Sequence, residues 1–309
     1  MLNDYYQNIG AKGFFVRYGI INAIRRGSYI ASGIHYVRDY EMKKLLWQKK
    51  AAKKVEKYFK YYNQDPEGLI LKNVTLRDPV WVYWNTGIEN APNIVKSCFF
   101  SMKKHEGDRI VLLSDDNLDQ YIQMPEYIEK KKDQGFMPLA CYTDLVRFAL
   151  LEHYGGTWID ATVYLTDCIP DLILKSDFFA FRNTLGLLEN PALYAVWFLH
   201  AKKNNEVIKK VRNVSFAYWK NENHVVEYLL SNIIITKILA KDLDAEQAIP
   251  YMNSDYSEYF VRVLGNQFDE EQWQWIKKLT SIHKLTYKLS PEIDRENTFY
   301  NKLVRRLIE

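Results

Sequence analysis

This sequence predicts an α/β fold: a mixed, mostly parallel sheet flanked by helices, with a helical segment in front of it. Three observations carry that expectation. Short apolar runs of strand length, Pro79-Val80-Trp81-Val82-Tyr83-Trp84 and Ile110-Val111-Leu112-Leu113, each end on turn residues. Longer segments with helical spacing lie between such runs, giving the order strand, helix, strand, helix, helix, strand, which is that of crossover-connected parallel strands. Finally, 309 residues with 48% hydrophobic and 26% charged content bury a large core in a soluble globular protein.

Taken in order, residues 1–75 form a basic helical segment and residues 76–309 the sheet-bearing domain. Met1 to Lys60 carries thirteen Lys and Arg against four Asp and Glu, although the whole chain has a net charge of only +4. Phe14-Phe15, Ile20-Ile21 and Ile24 precede Arg25-Arg26. Glu41 to Tyr62 contains no Gly or Pro and reads as one long helix. Leu45, Ala52, Val55, Phe59 and Tyr62 form its apolar stripe, and eight lysines fill the rest. Such a segment suits either packing on the following domain or attachment to an anionic membrane surface, where each basic residue contributes about 1 kcal/mol. Asp65-Pro66 and Gly68 then mark a boundary. Pro92 opens a helix through Ile94, Val95, Cys98 and Phe99; Asp177 to Phe181 reads as a strand. Ala192 to Lys202 and Val225 to Ala240 read as helices, and Asp269-Glu270-Glu271 opens another with acids in its first turn.

Several classes are excluded. The basic charge comes with no nucleic-acid-binding motif, so a nucleic-acid partner is not expected. Cys98, Cys141 and Cys168 have no metal spacing and cannot all pair, which fits reduced thiols in the cytoplasm. No apolar run reaches the roughly 18 residues of a membrane span, and no signal-peptide layout is seen, so the chain is expected to stay where it is made.

Cys141 to Cys168 organises the rest. Asp144 and Arg147 share one helical face at i,i+3 spacing, surrounded by apolar residues. Gly155-Gly156 stops the helix, because glycine accepts a left-handed backbone. Thr157-Trp158-Ile159 and Val163-Tyr164-Leu165 read as strands interrupted by Asp160-Ala161-Thr162. An acid inside such an apolar run sits at a strand end or meets a cation, since burying it alone costs several kcal/mol. Sheets of this kind take ligands beyond the carboxyl ends of their strands, which puts Trp84-Asn85, the loop after Leu113 and Asp160 on one rim.

Thr143-Asp144, Arg147, Gly155-Gly156, Trp158 and Asp160-Ala161-Thr162, in that order, resemble the sugar-donor site of GT-A glycosyltransferases. The similarity is to glycosyltransferase family 32 and its capsular polysaccharide synthesis branch, and is clearest from Pro79 to Asp171. It implies a GT-A, Rossmann-type domain and a metal-dependent, retaining transfer of a hexose, galactose or glucose, from a UDP-sugar to a lipid-linked oligosaccharide. Such a bacterial enzyme would work on the cytoplasmic side, peripheral to the inner face of the plasma membrane. Under this resemblance Trp84 stacks on the base with Asn85 beside it, Asp144 accepts from donor hydroxyls, and Arg147 holds sugar or phosphate oxygens. Asp160 binds Mn²⁺ or Mg²⁺, with Thr162 standing where the second acid of a D-x-D motif would be. Glu227, followed by Tyr228, faces the acceptor or the reacting carbon. His283 and Lys284, in a late His-Lys-Leu-Thr run, provide a metal ligand and a phosphate contact. The missing second acid leaves a different class open, a non-catalytic sugar-binding or assembly subunit. A toxin-like protein glycosylase is disfavoured, for want of a secretion signal or delivery domain.

Overall fold

A computed structural model describes residues 12–13, 15–25, 37–183 and 190–308. Phe14 and Arg26 therefore lie outside the described residues. The central sheet has five strands in the order β3-β2-β5-β8-β7: β2 (Val80–Tyr83), β3 (Ile110–Leu113), β5 (Gly156–Ile159), β7 (Phe178–Arg182) and β8 (Tyr194–Ala201). β2 pairs in parallel with both β3 and β5, while β8 is antiparallel to both β5 and β7. Four of the five strands thus run one way, and β8 alone is reversed. Two small ladders complete the strands, β1 (Ile70–Leu71) with β4 (Ile122–Gln123) and β6 (Val163–Leu165) with β9 (Ile282–Lys284).

The helices that matter for the site are α1 (Val37–Val55), α2 (Asn93–Glu106), α3 (Leu139–Tyr154), α4 (Glu206–Asn221), α5 (Leu230–Leu239) and α6 (Glu270–Leu279). Three differences from the sequence reading stand out. The helix expected over 41–62 is α1 followed by a tighter 3₁₀ segment, Glu56–Tyr61. The helix expected from Val225 begins only at Leu230. The run at 192–202, expected to be helical, is mostly strand β8, because its near-continuous apolar character suits burial between two neighbouring strands.

Gly155 and Gly156 let β5 enter the sheet. Both have positive φ, +72° and +95°, and a Cβ on Gly156 would stand 2.1 Å from the Pro79 carbonyl oxygen. That carbonyl accepts from Thr157 N–H at 2.8 Å, and Trp81 Nε1 donates to the Gly155 carbonyl at 3.0 Å. Here β2 and β5 lock together, and Asp160 follows where β5 ends. The N-terminal segment shares this core: Ala51, Ala52, Val55 and Phe59 are buried with Val80, Trp158 and Ile233 in one contiguous cluster.

Candidate functional site

Helix α3 presents Arg147 inward, 5% exposed, where a lone guanidinium would be costly. Its Nη2 meets Asp144 Oδ1 and Asp160 Oδ1, each at 3.2 Å, and its Nη1 donates to the Val196 carbonyl on β8. The Trp158 ring lies 4.9 Å from the guanidinium, and Trp158 Nε1 donates to Asp160 Oδ1 at 3.1 Å. Asp144 also accepts a hydrogen bond from the Ser231 hydroxyl of α5. The two carboxylates differ in environment. Burial pushes the Asp144 carboxyl up, against the pull of Arg147 and Ser231. Burial also acts to raise Asp160, but Lys284 and Arg147 outweigh it and hold that carboxyl below its usual range.

Strand β9 delivers the second cation. Val163 pairs with Lys284 and Tyr164 with His283, so the β6–β9 ladder brings Lys284 beside the Asp160-Ala161-Thr162 turn. Lys284 Nζ lies 2.9 Å from Asp160 Oδ2 and 2.8 Å from Thr162 Oγ1. Side chains alternate along a strand, so His283 points the other way. It is fully buried, its Nε2 lies 3.2 Å from Thr166 Oγ1, and its ring packs edge-on to Phe260. Burial pushes His283 down to about 3.

A cleft of about 600 Å³ opens where β2 and β5 end. Trp84 and Asn85 line it, and Trp84 meets the Tyr287 ring at 5.4 Å and 90°. Arg147, Asp160, Thr162 and Lys284 line it too, as do Arg17, Tyr228 and Lys288. Trp84, Asn85, Arg147, Asp160, Thr162 and Lys284 are thus brought together as expected, with Asp144 behind Arg147. His283 and Glu227 are not among the lining residues. Glu227 is buried in the turn before α5, whereas its neighbour Tyr228, 52% exposed, faces the opening. Sequence reasoning missed Tyr287 and Lys288, although they directly continue the run it had singled out. Arg17 carried no local signal, because only the fold brings it to this rim.

As a seat for a divalent ion the donor set does not fit. Hard divalent ions want several oxygens, with at least one carboxylate left open to the ion beside substrate phosphates and water. Here Asp160 is the one carboxylate lining the cleft among the described residues, and both of its oxygens are engaged by cations. Thr162 accepts from Lys284, and His283 lies behind the strand. The trio of described residues spaced to hold a metal is His105, Asp167 and Cys168, outside this cleft.

Fold and site together define an α/β protein whose cleft, at the carboxyl ends of parallel strands, is lined by cations and aromatic rings. The chain belongs to the capsular polysaccharide synthesis protein family, whose model matches residues 31–303. Among solved structures it is similar to a chain titled PaToxG Glycosyltransferase, at 13% identity and a TM-score of 0.42, covering 86% of this chain and 98% of that one. A search of curated proteins gave no match.

Proposed function

We propose that this protein is a glycosyltransferase that moves a hexose, galactose or glucose, from a UDP-sugar to a lipid-linked oligosaccharide during capsular or surface polysaccharide synthesis. The observation that carries the reading is the composition of the cleft. Arg17, Arg147, Lys284 and Lys288 face it with Asp160 as the opposing carboxylate, beside the aromatic pair Trp84 and Tyr287. Cations suit a diphosphate, and an aromatic face suits a nucleobase.

In this reading Trp84 holds the base and the cationic side chains hold the diphosphate. Arg147, braced by Asp144, keeps Asp160 ionised and oriented. The acceptor hydroxyl attacks the anomeric carbon from the face the diphosphate is leaving, so configuration is retained. The new C–O bond forms as the bond to the β-phosphate oxygen breaks. The electron pair leaves with UDP, and the acceptor's proton passes to a phosphate oxygen. Charge develops on that phosphate, where fixed cations give their largest benefit.

Incubating the purified chain with UDP-glucose or UDP-galactose and a lipid-linked acceptor should release UDP and label the lipid fraction. Lys284→Ala should lower that turnover by about a hundredfold or more, the scale of losing one transition-state electrostatic contact. Undiminished turnover in Lys284→Ala removes the assignment. Tight UDP binding with no turnover for any sugar favours the sugar-binding subunit instead.

A further inference from the structure

We infer that the Lys284 ammonium occupies the seat a divalent ion would take, so that the cleft holds a diphosphate with its own cations and without a metal ion. The inference rests on the nucleoside-diphosphate reading above for the identity of the anion, but not for the absence of a metal seat.

Asp160 Oδ2 and Thr162 Oγ1 are the side-chain oxygens of the Asp160-Ala161-Thr162 turn that Arg147 and Trp158 do not hold, and Lys284 Nζ touches both, at 2.9 and 2.8 Å. An ammonium carries three protons. Two go to these oxygens, and the third is the one a phosphate oxygen takes. The other Asp160 oxygen is held by Arg147 and Trp158. This position is built into the fold, because Lys284 sits on a strand whose register against β6 is fixed by the Val163, Tyr164 and Leu165 pairings.

Arg147 and Lys284 already place one cation on each Asp160 oxygen, so a manganese ion seated there would meet like charges on both sides, which disfavours its binding.

The test uses the full chain and three probes: Mn²⁺ alone, inorganic pyrophosphate and UDP. Calorimetry should show pyrophosphate and UDP binding equally well with EDTA and with millimolar Mn²⁺. It should also show no Mn²⁺ binding that Asp160→Asn removes. Lys284→Ala should weaken both anions by more than about tenfold, and Lys284→Arg should recover part of the loss. Mn²⁺ that tightens UDP about tenfold or more in the native chain, or binds in an Asp160-dependent way, overturns the inference. So does a native chain that binds neither anion. If pyrophosphate binds without metal and UDP binds no better, the UDP-donor reading falls while this one stands. Should Lys284→Ala fail to fold, the native chain with EDTA and Mn²⁺ still decides.

Discussion

His283 and Lys284 are adjacent on β9 and have opposite environments. Lys284 faces carboxylate and cleft, while His283 faces Thr166 and Phe260 in the core. Their sequence context, a late His-Lys-Leu-Thr run, marks the segment but not which neighbour points where; only the pairing with β6 sets that. The burial of His283 has a measurable consequence, shared with His200, which burial pushes down to about 4. Both are neutral in the fold, yet near 6.5 when unfolded. As pH falls below about 6.5 the unfolded chain gains protons that the folded chain refuses, so stability declines through that window and recovers as pH rises. Denaturant melts between pH 7 and pH 4.5 should show this decline, and His283→Gln should make it shallower. An unchanged pH dependence in that variant means the ring is not held neutral. Asp160 contributes in the same direction but lower, its stabilisation being lost as pH falls through its depressed folded value.

At the level of elements, the helix α3, the Gly155-Gly156 stop, β5 and the break at Asp160 were all legible, because each has a local cause. Apolar bulk, a left-handed turn and a charge in an apolar run need no knowledge of distant residues. β8 was not legible. Tyr194 to Ala201 mixes residues found in helices and strands, and its continuous apolar character comes from lying between β5 and β7. That misreading hid the one reversed strand and the Val196 carbonyl that Arg147 uses. The glycine turn yields a sharp expectation. Gly156→Ala forces a Cβ toward the Pro79 carbonyl and a φ of +95° on a residue with a side chain. The backbone conformation alone costs about 1–3 kcal/mol, and the clash adds to it. Chemical denaturation should show a loss beyond that range; a loss below about 1 kcal/mol means that β2 and β5 are not in close contact here.

For the whole molecule, the N-terminal segment is both part of the core and a charged exterior. No helix among the described residues is long and apolar enough to cross a membrane. Ala51, Ala52, Val55 and Phe59 are buried in the common core, so deleting residues 1–60 should lower the melting temperature rather than release an independent domain. Ile20, Ile21 and Ile24 are more than half exposed, and Lys53, Lys54 and Lys57 are exposed further along. With these features, the proposed contact with an anionic membrane surface predicts flotation with vesicles containing anionic lipid, weakened by salt. Charge reversal at Lys53, Lys54 and Lys57 should reduce it, and flotation indifferent to lipid charge and salt removes the membrane contact. The segment's basic character was plain in the sequence. The reach of Arg17 to the cleft was not, because it depends on tertiary placement alone.

Under the proposed function, the contact between Lys284 and Asp160 also bears on product release. A departing nucleotide would leave behind no orphaned ammonium, because the carboxylate and the Thr162 hydroxyl hold it throughout. Tight capture and slow escape, which a strongly cationic groove otherwise couples, would thereby be separated.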